Sequence, residues 1–163
     1  MKIGVISDTH NHQGNLTIAL ARCQSEGITT LVHCGDFTDT AVAWAVEGWR
    51  VLAAFGNGDI ASGEIRDVLK AGHPESDARL VYTGLIDGKR IAITHGHLAG
   101  KTHELVRSGL YSYVFYGHSH EHQDETIGTT RLINPGALGG KRPEPRHFCI
   151  LDLDTGILEF ISL

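Results

Sequence analysis

Residues 2–10 read KIGVISDTH, and this stretch sets the pattern for the chain. Ile3, Val5 and Ile6 form a short apolar run that Ser7-Asp8 closes, which reads as a buried strand over 3–6 followed by a polar loop. The same unit then recurs. Leu16, Ile18, Ala19, Leu20 and Cys23 follow helical spacing over 15–27, with Gly27 as the stop. Residues 29–33 form a second strand and 40–47 a helix with Thr38 or Asp39 as its N-cap. A third strand over 50–55 and a third helix over 63–71 complete a βαβαβα half, which favours a parallel sheet.

The second half changes character. Strands over 80–86 and 90–94 flank Asp87-Gly88, a dipeptide suited to a tight hairpin turn. A helix over 101–107 and a strand over 111–116 follow, then short strands over 131–133, 148–152 and 157–161. Parallel and antiparallel strands in this mixture predict two sheets packed face to face with helices outside, in one domain spanning 1–163. Residues 139–146, containing Pro143-Glu144-Pro145, read as a mobile surface loop.

The 163 residues suffice for one core. The net charge of −5 and the absence of a basic stripe argue against a nucleic-acid partner. No apolar run approaches a membrane span, and the first one ends too early for a signal peptide. Cys23, Cys34 and Cys149 are widely spaced and odd in number, which predicts buried thiols in a reducing, cytoplasmic setting. Oligomeric state is not legible, and a small homo-oligomer is only the general expectation.

Five polar clusters end the apolar runs: Asp8-Thr9-His10, Gly35-Asp36, Gly56-Asn57-Gly58-Asp59, His95-Gly96-His97 and Gly117-His118-Ser119-His120. Functional groups of α/β sheets gather beyond the carboxyl ends of strands, so clusters placed alike predict one shared site. Carboxylate, imidazole and amide groups without thiolate suit Mn²⁺, Fe, Zn²⁺ or Ni²⁺ better than a single Ca²⁺ or Mg²⁺. Seven ligands, namely Asp8, His10, Asp36, Asn57, His95, His118 and His120, exceed the needs of one tetrahedral ion but serve two. Two ions roughly 3.5–4 Å apart can clamp a phosphoryl group and activate a hydroxide between them.

Taken singly, these residues fit ordinary structural roles. Asp8 or Asp36 alone would read as a turn or N-cap residue, and Asn57 between glycines as a tight turn. His12 reads as a loop residue, His33 as a satisfied core histidine, and His73, His103, His122 and His147 as surface. Cys34 reads as packing, and Tyr111, Tyr113, Phe115 and Tyr116 as core and sheet surface.

In order and spacing the five clusters resemble the calcineurin-like metallophosphoesterases. Ser7-Asp8-Thr9-His10 and Ile133-Asn134-Pro135-Gly136 look most like the small bacterial and archaeal phosphodiesterase branch of YfcE type. The resemblance implies an α/β fold of αββα sandwich type, with Asp8, His10 and His120 on one divalent ion. It places Asn57, His95 and His118 on the other and Asp36 on both, with Mn²⁺ the expected metal and Ni²⁺, Fe, Zn²⁺ or Mg²⁺ compatible. It also implies a phosphodiesterase for a small phosphodiester, in which a hydroxide between the ions attacks phosphorus.

The chain departs from the pattern at Gly58, where many members carry a histidine that assists the leaving group. Activated aryl esters are therefore expected to react faster than alkyl ones. Asp59, which would orient that histidine, is expected to act in catalysis through a hydrogen bond to a ligand imidazole. His97 is expected to reach the phosphate or the leaving oxygen, and Asn57 also to contact substrate. Asn134-Pro135-Gly136 reads either as a plain turn or, by resemblance, as a neighbour of the metal loops. The competing functions are a catalytically weak scaffold like the retromer subunit of this fold, and a phosphomonoesterase.

Overall fold

The computed structural model describes residues 1–141 and 143–163. Three strands, β1 (Lys2–Ile6), β2 (Thr30–His33) and β3 (Arg50–Ala54), pair in parallel in that order. They alternate with α1 (Gln13–Ser25), α2 (Thr40–Ala45) and α3 (Ser62–Gly72), as the first half of the sequence predicts. Helix α1 starts at Gln13, earlier than the apolar spacing indicates, because His12 accepts the Asn15 N–H and caps it. Asp39 caps α2 by accepting the Ala41 N–H. A three-residue strand β4 (Asp77–Arg79) extends the sheet beyond β3.

The Asp87-Gly88 turn joins β5 (Val81–Ile86) to β6 (Lys89–Thr94), with positive φ at both turn residues. After α4 (Lys101–Arg107), strand β7 (Tyr113–Phe115) runs parallel to β6. An antiparallel pair, β8 (Gln123–Ile127) and β9 (Thr130–Asn134), follows, with β9 parallel to β7. Strands β10 (His147–Asp152) and β11 (Leu158–Ser162) return to the first sheet, β10 antiparallel to β1. The sheet orders are β11-β10-β1-β2-β3-β4 and β5-β6-β7-β9-β8.

The two sheets pack face to face, as period-2 alternation requires. Ile3, Val5, Val32 and Leu52 of the first sheet meet Ile91, Ile93, Phe115 and Ile133 of the second in one buried cluster. The outer face of the first sheet, including Ile6, Leu31 and Val51, is covered by α1, α2 and α3 through Leu16, Val42 and Ile65. Helix α4 covers the second sheet through Leu105 and Val106 against Val114 and Leu132. Tyr113 and Phe115 stack within the inter-sheet core, while Tyr111 and Tyr116 border the α4 cluster. The αββα sandwich puts the carboxyl ends of the parallel sets β1-β2-β3 and β6-β7-β9 on the same loops, where the five polar clusters lie.

Candidate metal centre

Residue placement starts from backbone that ordinary side chains avoid. Asp8, His10, Asp36, His118 and His120 all have positive φ, which aims each side chain out of its strand line and toward the others. The glycines of the clusters are needed because the loops touch. A Cβ on Gly117 would collide with Ser7 Oγ and lie 2.6 Å from Asp8 Oδ2, and one on Gly56 would collide with Asp36 Oδ1. Loop-to-loop backbone bonds fix the arrangement: Asp8 N–H to Gly35 O at 2.9 Å, His10 N–H to Asp36 O at 3.0 Å, and Gly117 N–H to His95 O at 3.0 Å.

Asp8 is fully buried. Its Oδ2 accepts Ser7 Oγ–H at 2.5 Å and the His118 N–H at 3.0 Å, whereas Oδ1 has no hydrogen-bond partner. That oxygen lies 3.3 Å from His120 Nε2, 3.8 Å from His10 Nε2 and 3.9 Å from His95 Nε2. Asp36 Oδ1 accepts the Gly58 N–H at 2.8 Å, and its Oδ2 sits 3.6 Å from His10 Nε2 and 3.5 Å from His95 Nε2. Two three-residue groups thus have spacing suited to an ion, Asp8 with His10 and His120, and Asp8 with Asp36 and His95. His118 Nδ1 approaches His95 Nε2 to 3.2 Å, and the Nε2 atoms of His10 and His120 stand 3.4 Å apart.

These atoms fit divalent cations. A buried carboxylate oxygen without a donor and imidazole nitrogens in close pairs are costly unless a cation lies among them. The mixed N/O set is that of Mn²⁺, Fe, Zn²⁺ or Ni²⁺. Other groups fix the imidazoles: His95 Nδ1 faces the Cys34 carbonyl at 2.8 Å and His120 Nδ1 faces Glu144 Oε1 at 2.5 Å. Both leave Nε2 toward the carboxylates, the arrangement metal-binding histidines need. The Asp8 carboxylate, and after it that of Glu144, raise the His120 pKa against the opposing effect of burial.

A cavity of about 760 Å³ opens over this cluster, lined by His10, Asp36, Asn57, His118 and His120. Asn57 is exposed at it, and His12 and Lys141 also line it. His12 is therefore more than a loop residue. Its Nδ1 accepts an N–H, so the neutral ring carries its proton on Nε2.

Asp59 does not hold an imidazole as expected from the sequence. Its buried carboxylate accepts three backbone N–H groups, from Asp36 at 2.9 Å, Thr38 at 2.8 Å and Gly56 at 2.7 Å. Asp59 is instead consumed in tying the Asp36 loop to the Gly56 loop, and the ligand imidazole of His95 is held by the Cys34 carbonyl. Burial pushes its pKa up despite these donors. His97 lies with its ring centroid 5.4 Å from that of His95 and 6.4 Å from that of His118. Its Nδ1 is buried without a partner, and burial lowers its pKa.

His33 is a satisfied core histidine, as expected. Its Nδ1 accepts the Gly35 N–H at 3.1 Å, its Nε2 meets Thr9 Oγ1 at 2.8 Å, and its ring stacks on Phe37. Asn134 is more than a turn residue, since its amide donates to Gly117 O at 3.1 Å and Ser119 Oγ at 3.0 Å. The 139–146 loop, of which residue 142 lies outside the described residues, is not a free surface loop. Glu144 binds His120, and Arg146 donates to the carbonyls of Gly139 and Gly140. Among the described residues no helix is long and apolar enough to cross a membrane.

Comparison with known proteins identifies the family and the fold. A phosphodiesterase of Methanocaldococcus jannaschii is 35% identical over 142 residues, which is 86% of each chain. A solved structure described as a novel archaeal phosphodiesterase superposes with a TM-score of 0.94 at 33% identity, covering 100% of both chains. The phosphoesterase Yfce from E. coli shares the fold, with a TM-score of 0.71 at 22% identity over 99% of each chain. Residues 1–156 match the family model for the calcineurin-like phosphoesterase superfamily domain, and the chain belongs to that family.

Proposed function

We propose that the protein is a divalent-metal-dependent phosphodiesterase acting on small phosphodiesters. The observation that carries this reading is Asp36 Oδ2, which stands almost equally far from His10 and His95 and so links two imidazole groups. Asp8, His10 and His120 would hold one ion, His95, His118 and Asn57 the other, and Asp36 both. Mn²⁺ is our first assignment, with Ni²⁺, Fe, Zn²⁺ and Mg²⁺ compatible with the same atoms. When bound, such ions supply charge opposite the phosphate oxygens and lower the pKa of water.

The remaining work belongs to the chain. Asn57 and Lys141 on the cavity wall offer an amide and an ammonium to the non-bridging oxygens of a phosphate. His12, with its proton on Nε2, is placed on the same wall and can donate a hydrogen bond to a non-bridging phosphate oxygen. Gly58 offers no side chain to assist the leaving group, so aryl leaving groups should outrun alkyl ones. The buried free thiols of Cys23, Cys34 and Cys149 support a reducing, cytoplasmic setting.

The test is Asp36→Ala. Metal content by elemental analysis and hydrolysis of an aryl phosphodiester should fall together in that variant. Near-normal hydrolysis would sink the assignment.

A further inference from the structure

A second cavity, of about 500 Å³, meets the metal-site cavity along His118 and Ser119, which line both. Its walls come from α4, β8, β9 and the segment after β7. Thr102 and Val106, four residues apart, present one face of α4. Leu132 on β9 and Tyr116 after β7 face them, and Ile127 closes the edge from β8. The Tyr116 hydroxyl is engaged with Gln123 Oε1, so the ring itself is what the phenol contributes to the wall. Arg107 and Glu125 also line the cavity, and with opposite charges they leave it no net charge to hold a second phosphate.

We propose that this cavity is the subsite for an uncharged, mainly apolar ester group, the size of an aromatic ring or larger, of the phosphodiester whose phosphate sits at the metal centre. The proposal rests on the phosphodiesterase reading and adds a substrate class to it. Three features carry it. The cavity adjoins a candidate metal ligand, its volume lies in the range of small-molecule sites, and its exposed lining is more apolar than polar, with the charges of Arg107 and Glu125 opposed. A phosphate bound at His118 would place one of its ester oxygens beside the shared His118–Ser119 segment, with the attached group next to these walls.

The experiment uses phenylphosphonate and methylphosphonate, whose phosphonate stands for the substrate phosphate and whose carbon group stands for the ester group. Their binding to the Mn²⁺-loaded protein is measured by calorimetry, without turnover. Wild type should bind the phenyl compound about tenfold more tightly, the scale of burying one ring. Thr102→Trp, which fills the cavity, should abolish that difference while leaving the methylphosphonate Kd within twofold. Ile127→Glu changes a partly exposed edge-strand residue and should do the same by placing a charge in the apolar wall. Its position at the surface guards against loss through misfolding.

Equal binding of both compounds by wild type, or a difference that survives in both variants, would overturn the subsite. Aryl phosphodiester hydrolysis measured in parallel separates the two ideas. Discrimination without hydrolysis would leave the subsite standing and remove the enzyme reading, and hydrolysis without discrimination would do the reverse.

Discussion

Replacing Asp59 separates a structural role from a catalytic one. Its carboxylate is buried and accepts backbone N–H groups of Asp36, Thr38 and Gly56 at 2.7–2.9 Å. Asp59→Ala leaves three donors without an acceptor. An orphaned buried donor costs about 1–3 kcal/mol, and taking the lower part of that range for partly hydrated positions gives a total of about 3–6 kcal/mol. For a chain of this size each kcal/mol moves Tm by roughly 2–4 °C, so a drop on the order of 6–24 °C is expected. Asp59→Asn keeps an acceptor oxygen but turns an amide N–H₂ toward a donor, and should lose about half as much. The assay is thermal unfolding by circular dichroism in chelator, which removes the contribution of bound metal to Tm. Metal content should fall as well, because the same carboxylate sets the Asp36 and Gly56 loops. An alanine variant that keeps its Tm and its metal but loses hydrolysis would refute this account and return Asp59 to the catalytic step.

Two further outcomes follow from the same loops. Burial depresses the His33 pKa from 6.5 to about 3, so the folded protein keeps it neutral while the unfolded chain takes up a proton below 6.5. The stability it supports is complete above pH 6.5 and falls as pH drops toward 3, by about 2 kcal/mol at pH 5. Urea unfolding of the chelated protein at pH 7 and pH 5 measures this, and His33→Gln should flatten the difference; an unchanged slope would contradict it. Gly117→Ala, whose Cβ meets Ser7 Oγ and Asp8 Oδ2, should cost about 1–3 kcal/mol and much of the bound metal. Gly63→Ala on α3 is the control: nothing lies within 4 Å of its Cβ, and it should gain about 0.4–1 kcal/mol in the same unfolding series.

What was legible in the sequence was what periodicity and strand-end placement encode. The βα alternation, the Asp87-Gly88 hairpin and the two-sheet core follow from apolar patterns that single residues carry. The polar clusters were legible because each directly follows a buried run. Strands β4 and β8 were not, since both are short edge strands, Asp-Ala-Arg and Gln-Asp-Glu-Thr-Ile, without an alternating apolar face. Their pairing is dictated by the neighbouring strand and not by their own composition. The partners of Asp59 were hidden for a related reason. A carboxylate after a Gly-Asn-Gly turn looks ready for an imidazole, and only the fold brings the Asp36 and Thr38 N–H groups to it from more than twenty residues away. Glu144 is the clearest case. Nothing in Pro143-Glu144-Pro145 signals a bond to His120, 24 residues earlier.

The way the ligands are held explains why residues without a ligand atom matter. Among the described residues, eight other than glycine have positive φ, and seven of them lie in the site loops. A left-handed residue costs about 1–2 kcal/mol, less for Asp and Asn, and such strain persists only where surrounding structure over-determines it. Here the surroundings are the other loops. Asp8 is held by the Gly35 carbonyl and returns a carbonyl to Gly139 N–H at 2.8 Å, His10 by Asp36, and Gly117 by His95. Each cluster therefore closes on the backbone of another, and none can adopt its ligand geometry alone. The glycines permit the close approach, the Asp59 carboxylate and the His33 ring fasten two of the loops, and Asn134 and Glu144 fasten the His118–His120 segment. The aim of the ligands is thus a property of contacts among loops drawn from both sheets, so loss of one such contact is felt at ligands far from it in sequence.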